Sequence, residues 1–341
     1  MKSLKIGILG ATGAVGRQML EVLEERKFNV EELRLFAGTR SAGSKIEAFG
    51  KEWTVELTDT ERFAGLDLLL GAAENDIAKK YLPEAARMGV QVVDNSSAFR
   101  LDPEIPLVIP EVNPEDVKLT KGIIANPNCS TIIALTAVNA LHRYAKIKRM
   151  VVSTYQAVSG AGKDGIDELY NEVSKLSEGG ELGKENFKVF PYQIAYNLIP
   201  QIGGFDDMGY SSEEMKMQNE GRKMLHDDKL RVNCTCVRVP VVRSHSESIN
   251  IEFEREISPE KARELLKDAP GVRLYDEPSE KVYPMPLLTS DQDLVYVGRI
   301  RRDISAPEEE YNRSLTLFCC GDQVRKGAAT NAVQIAELIF K

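Results

Sequence analysis

Residues 126–131 read Asn-Pro-Asn-Cys-Ser-Thr, and the apolar, helix-like run Ile132-Ile-Ala-Leu-Thr-Ala-Val-Asn-Ala-Leu141 follows directly. Cys129 therefore falls where a strand or loop ends and a helix begins. The N–H groups and positive dipole end of a helix stabilise a thiolate, so a cysteine there is more acidic and more reactive than one in a core. The same N–H groups can hold an oxyanion formed when sulfur attacks a carbonyl. A catalytic thiol is the leading reading. The competing reading is a small buried hydrophobe, the default for a cysteine taken alone. The other four fit that default. Cys234 and Cys236 share one face of the strand-like Val232–Val239, and Cys319-Cys320 follow the apolar Leu315–Phe318. Neither pair has Cys-x-x-Cys spacing, so no metal site is expected.

A second chemical feature is Gly10-Ala-Thr-Gly-Ala-Val-Gly16, set directly after an apolar strand and directly before a helix. Glycines at this junction allow a tight turn and let backbone N–H groups approach a pyrophosphate at the helix N-terminus. Gly10, Thr12, Gly13, Ala14 and Val15 are the candidate cofactor contacts. The spacing G-x-x-G-x-x-G is a variant of the dinucleotide fingerprint, and its weight comes from the strand–turn–helix context. An NAD site places an acidic residue at the end of the second strand, whereas here Leu33–Ala37 runs into Gly38-Thr-Arg-Ser41. Arg40 and Ser41 offer a cation and a hydroxyl for a 2′-phosphate, so NADP is the expected cofactor. The plainer reading of Arg40 is a solvated loop charge.

The elements that must position these groups have two textures. Up to about residue 125 short strands (Leu4–Leu9, Glu32–Ala37, Leu66–Leu70, Val90–Val93, Gly122–Ala125) alternate with helices (Arg17–Glu25, Ile77–Met88). That alternation implies a parallel sheet covered on both faces. Beyond Cys129 come longer strands, Arg149–Tyr155, Cys236–Val242, Ser248–Phe253, Leu294–Arg301 and Arg313–Phe318, broken by polar helices at Ile166–Leu176 and Ser212–Leu225. The fold class expected is α/β: a Rossmann-type domain over 1–127, completed by 323–341, and an α+β substrate and dimerisation domain with a mixed sheet over 128–322.

Composition narrows the function classes. The 341 residues carry a net charge of −8, which argues against nucleic acid or an anionic membrane as partner. Five cysteines suggest a reducing compartment rather than a disulfide framework. Glycines interrupt the apolar start, so no signal peptide is read there, and the apolar runs are too short to span a bilayer. A cytoplasmic protein is expected.

The motifs at 10–16 and 126–131, with Thr39-Arg-Ser-Ala-Gly43, Asn95-Ser-Ser-Ala-Phe-Arg100, Gln156-Ala-Val-Ser-Gly-Ala-Gly162, Glu213-Glu-Met-Lys216, Arg238-Val-Pro240, His245-Ser-Glu247 and Arg325-Lys-Gly-Ala-Ala-Thr-Asn331, occur in one order along the chain. Together they resemble the aspartate-semialdehyde dehydrogenase family over essentially the whole length. Gln323 stands where that family more often has Asn. The resemblance implies NADPH-dependent reduction of β-aspartyl phosphate to aspartate β-semialdehyde, with release of phosphate, in lysine, threonine and methionine biosynthesis. Cys129 would form a thioester, the kind of intermediate an activated thiolate suits. His245 would be the general acid/base, an imidazole titrating near neutrality. Arg238 would pair bidentately with the α-carboxylate. Glu213 would hold the amino group and Gln156 would orient the substrate. Arg100 and Lys216 would bind phosphate, while Ser159, Gly160 and Gln323 would border the cofactor. For Glu213 and Lys216 the plainer reading is a solvated i,i+3 ion pair.

A homodimer or homotetramer is implied, with the extended sheet of the second domain as the natural interface. Three rivals remain at this stage. N-acetyl-glutamyl-phosphate reductase would not need Glu213 and usually has Gly in place of Asn128. Glyceraldehyde-3-phosphate dehydrogenase sets its cysteine in a Ser-Cys-Thr-Thr-like context. A non-catalytic homologue would not need Cys129, His245 and Arg238 together.

Overall fold

The computed structural model describes residues 3–340, which divide into two compact units. Among the described residues the first comprises 3–128, 223–225 and 327–340, and the second comprises 129–222 and 226–326. Residues 323–326 thus group with the second unit.

In the first unit, β1 (Leu4–Leu9) leads through a glycine turn into α1 (Ala14–Glu25), then β2 (Val30–Ala37), β3 (Lys45–Ala48) and β4 (Lys51–Leu57). β5 (Leu68–Gly71), α2 (Asn75–Arg87), β6 (Gln91–Asp94) and β7 (Ile123–Ala125) follow. The seven strands lie in the order β3-β4-β2-β1-β5-β6-β7, parallel except for the edge pair β3 and β4. Strands covered on both faces need apolar side chains in both directions, which explains the unbroken Leu68-Leu-Leu run of β5. Ile6, Ile8 and Leu35 face α1 and the C-terminal helix Thr330–Phe340, while Leu9, Phe36 and Leu69 pack with Leu82 and Ala85 of α2. Truncating such a leucine to alanine costs about 2–5 kcal/mol.

The β3–β4 hairpin has no counterpart among the expected strands. Its strands are short and charged, with alternate residues exposed, and they are joined by Phe49-Gly50, both at positive φ. Two positive φ values in a two-residue loop match the twist of a tight hairpin.

The second unit begins with α3 (Cys129–Ala145), buried almost all round, and β8 (Ile147–Gln156). Then come α4 (Gly162–Ser177), α5 (Ser212–Met224), β9 (Arg231–Arg238), β10 (His245–Phe253), α6 (Pro259–Lys267), β11 (Val272–Leu274), the short α7 (Pro286–Thr289), β12 (Val295–Arg302) and β13 (Ser314–Gly321). The six strands form one mixed sheet in the order β11-β12-β13-β10-β8-β9, with β8 parallel to β9 and antiparallel to β10. One expected strand is misplaced. Cys236–Val242 is in fact β9 at Arg231–Arg238, because Pro240 lacks the N–H a continuing ladder needs. A π-helical turn, Arg325–Ala329, leads into the C-terminal α-helix Thr330–Phe340. Among the described residues no helix is long and apolar enough to cross a membrane.

Candidate active site

Three strand ends build the centre of the site. Gln156 closes β8 opposite Arg238, which closes β9, and β10 begins at His245 with Ser246 opposite Tyr155. The period of two therefore brings an amide, a guanidinium and an imidazole to one end of one sheet. α3 packs on that sheet, and Cys129 is its first residue, half-buried. The helix-start position read from Pro127 and the asparagines is the observed one. All five cysteines are thiols.

The polar groups here are buried and bonded to one another. Gln156 accepts from the Thr154 hydroxyl at 3.0 Å and donates to Glu213 Oε1 at 3.2 Å. Glu213 Oε2 holds the Lys216 ammonium at 2.9 Å, so the i,i+3 pair forms, although Glu213 itself is buried. Arg238 Nη1 donates to the Ala157 carbonyl at 2.6 Å, and its guanidinium lies 5.9 Å from the Phe190 ring centroid. Phe190 is placed in turn by Glu168 of α4, which accepts the backbone N–H groups of Lys188, Val189 and Phe190. Burial weakens the hold of Arg238 on its proton, while the nearby Cys129, Glu213 and Cys236 side chains oppose that loss. A guanidinium keeps its proton under such perturbation, so it remains a cation.

His245 is the first residue of β10. It is wholly buried, and burial first, then the neighbouring Arg238 charge, hold its pKa down at about 3 against the pull of Glu213. The residue before it, Ser244, is in the left-handed region at φ +75°, and its N–H is accepted by Gln323 Oε1 at 2.9 Å. The other end of the Gln323 amide bonds the Ser159 hydroxyl. Next to Ser159, a Cβ on Gly160 would stand 2.6 Å from Arg238 Nη1 and 3.2 Å from His245 Cε1. A larger residue there would have to push the Arg238 guanidinium aside.

Sequence reasoning missed three contributors. The main chain of Ala157 carries no side-chain signal. Phe190 lies in a loop without periodicity. Glu247 was visible only as part of His245-Ser-Glu247. The strand period puts it on the His245 face, and among the described residues neither carboxylate oxygen has a hydrogen-bond partner. Burial, with Cys236 and Glu213 adding to it, pushes its pKa well above the carboxylate range, so it is a neutral acid.

The remaining candidates lie in the first unit. Gly10 takes φ +84°, and a Cβ there would stand 2.5 Å from the Ala72 carbonyl beyond β5. This is where the strand order reverses, since β1 pairs with both β2 and β5, and ligands of open α/β sheets bind at such a point. Thr12 lies in the same turn, its hydroxyl 3.5 Å from that of Ser41, Gly13 is the N-cap of α1, and Ala14 and Val15 are its first residues. Arg40 is exposed in the following turn. Arg100 is buried and donates to the carbonyls of Asn126 and Asn95, each at 2.9 Å. Among the described residues no group of three or more His, Cys, Asp or Glu could hold a metal.

The comparisons agree over both units. The family model described as "Semialdehyde dehydrogenase, NAD binding domain" matches residues 5–120, and "Semialdehyde dehydrogenase, dimerisation domain" matches 138–326. An aspartate-semialdehyde dehydrogenase of Aquifex aeolicus is 52% identical, covering 99% of this chain and 98% of the relative. One of Campylobacter jejuni is 48% identical, covering 98% and 97%. A crystal structure of aspartate semialdehyde dehydrogenase II from Vibrio cholerae, complexed with ASA, superposes with a TM-score of 0.93 at 43% identity, covering 100% of this chain and 99% of that one. None of the rival families is favoured by these relatives.

Proposed function

The chain belongs to the aspartate-semialdehyde dehydrogenase family, and from that premise we propose that it interconverts aspartyl phosphate and aspartate semialdehyde by covalent catalysis at Cys129. The observation that carries this is the buried group of Gln156, Glu213, Arg238 and His245 assembled beside the start of α3. Cys129 would attack the acyl phosphate, forming the C–S bond as phosphate leaves. A thiolate at a helix N-terminus is suited to this step. Arg238, fixed by the Ala157 carbonyl and the Phe190 ring, would fork onto the substrate α-carboxylate, and Glu213 would take its ammonium. Gln156 bridges Glu213 and Thr154 and would orient the substrate. Lys216 and Arg100 would receive phosphate.

A nicotinamide dinucleotide would supply or accept the hydride. Gly10, Thr12, Gly13, Ala14 and Val15 would hold its pyrophosphate, because the positive φ of Gly10 opens the turn before α1. Exposed Arg40 and the Ser41 hydroxyl favour NADP, since nothing acidic ends β2. Ser159, Gly160 and Gln323 would border the nicotinamide. A second copy of the chain would cover the outer face of the six-stranded sheet, where Ser248, Arg299, Arg301 and Phe318 line a groove of about 300 Å³ and Tyr155 is exposed. Dimers and tetramers both fit that arrangement, and the charge and reducing-type cysteines fit a cytoplasmic enzyme of amino-acid biosynthesis. Turnover of aspartate semialdehyde with phosphate, run with NADP and NAD in parallel, tests the reading. Absence of turnover with either cofactor would overturn it.

A further inference from the structure

We propose that Lys223 is a positioning residue for the phosphate subsite: its ammonium holds the turn that carries Arg100 and so sets how the guanidinium is presented. The proposal rests on the reading that Arg100 receives phosphate, and it adds a residue that acts through Arg100. Lys223 stands in the last turn of α5, and residues 223–225 group with the first unit, as Arg100 does. Its ammonium donates to the carbonyl oxygens of Arg100 at 2.8 Å, Asp102 at 2.6 Å and Ile105 at 2.7 Å. An ammonium has three hydrogens and no acceptor, so three converging carbonyls match what it offers. Hydrogen bonds from a charged donor at such lengths are of the stronger kind.

The sequence explains why this turn needs a cation from elsewhere. It reads Arg100-Leu-Asp-Pro-Glu-Ile-Pro106. Pro103 and Pro106 bring no N–H, and each disfavours the helical region for the residue before it. Two successive turns form instead. The Asp102 N–H donates to the Phe99 carbonyl at 3.1 Å, and the Ile105 N–H donates to the Asp102 carbonyl at 3.2 Å. The Asp102 carboxylate accepts the Glu104 N–H at 2.8 Å. The chain rejoins the sheet at Pro106 and Leu107, against Ala125 of β7. Phe99 and Ile105 pack on the apolar cluster under α2, while Leu101 between them is exposed. Packing thus holds the two ends of the turn, and Lys223 holds the direction of its peptide planes.

The Arg100 peptide is one of those planes, and the side chain leaves from the same Cα. That side chain is buried, with Nε on the Asn126 carbonyl and Nη2 on the Asn95 carbonyl, each at 2.9 Å. Asn126 opens the Asn-Pro-Asn-Cys motif, so the guanidinium is braced on the chain three residues before Cys129. Without the ammonium, three carbonyl oxygens converge with no cation between them, and rotation of the Arg100 peptide relieves the mismatch. That rotation swings the Cα–Cβ bond and carries a planar fork, whose binding depends on its aim, away from phosphate.

The test uses the full-length chain and initial rates of semialdehyde oxidation at saturating NADP, with inorganic phosphate and semialdehyde varied in turn. Lys223→Met keeps the apolar stem and removes the ammonium. It should raise the phosphate KM about tenfold, the lower end of what losing a charge-assisted hydrogen bond gives, and leave the semialdehyde KM at its wild-type value. Lys223→Arg keeps the charge but confines the donors to a plane, so it should show a smaller rise of the same kind. It replaces the methionine variant if thermal unfolding shows that the latter does not fold. Combining Lys223→Met with Arg100→Lys should raise the phosphate KM no further than Arg100→Lys alone, since one residue acts through the other. An unchanged phosphate KM in a folded variant, equal rises for both substrates, or rises that multiply in the double variant would overturn the proposal. Absence of turnover in the wild-type chain would instead overturn the functional reading. Binding of inorganic phosphate, followed by ³¹P line width, then decides the role of Lys223: binding that is absent from the wild-type chain, or unaltered in Lys223→Met, overturns it.

Discussion

Replacing Gly160 by alanine isolates the geometry of the site from its chemistry. Gly160 is not in the left-handed region, so alanine brings no backbone strain. What it brings is a methyl group at 2.6 Å from Arg238 Nη1, where contact distance for carbon and nitrogen is about 3.5 Å. The guanidinium must retreat by roughly 1 Å, and its bond to the Ala157 carbonyl, 2.6 Å long, is lost or badly bent. A hydrogen bond from a charged donor is worth about 1.5–3 kcal/mol, or roughly 10- to 150-fold in kcat/KM. A displaced fork also carries the substrate carbon off line from Cys129, so kcat should fall with affinity. Initial rates with aspartate semialdehyde at saturating cofactor and phosphate give the number, and thermal unfolding checks that the fold is kept. Wild-type kcat/KM in a stably folded Gly160→Ala enzyme would refute the placement of Arg238 against this loop.

Arg238→Lys keeps the charge but loses the planar fork, so kcat/KM for the semialdehyde should fall by about 2–4 kcal/mol, or 30- to 1000-fold. Phosphate KM should hardly move, and a large rise in it alone would reassign Arg238 to phosphate. Arg40→Ala should weaken NADP far more than NAD in parallel titrations; equal losses would make Arg40 a bystander. Glu247→Gln should change how stability depends on pH. Below the ordinary carboxylate value of 4.5 the acid is protonated in both states and costs nothing. Above it the unfolded chain releases the proton that the fold retains, so stability falls until the raised folded pKa is passed. Glutamine is uncharged throughout, so urea unfolding should show a gain at pH 8 that shrinks towards pH 4; a gain independent of pH would contradict a protonated Glu247.

Much of the fold was legible because its cause is local. The two-sided burial of a parallel sheet writes itself as the apolar runs of β1 and β5, and the turn at Gly10 demands the residue that tolerates φ +84°. Cys129 was legible as a helix start because proline and asparagine stop one element and an apolar run begins the next. The β3–β4 hairpin was not, since its charged, alternating strands look like a loop until β2 supplies a partner. The candidate site divides the same way. The roles at 156, 213, 238 and 245 came from the family resemblance, and the surroundings of His245 depend on burial and on one backbone N–H from another strand end. Neither leaves a trace in the spacing of side chains. Glu247 was equally hidden, since a glutamate in an alternating strand reads as solvent-facing until both neighbouring strands are in place.

The covalent role of Cys129 can be tested in a single mixing experiment. Enzyme, NADP and aspartate semialdehyde are combined without phosphate, and reduced cofactor is followed by absorbance while intact mass is recorded on the quenched protein. The expected result is a burst of about one reduced cofactor per Cys129, with an aspartyl adduct on the wild-type chain and neither signal in Cys129→Ser. Turnover in Cys129→Ser equal to wild type, with no adduct on the wild-type chain, would contradict the thioester.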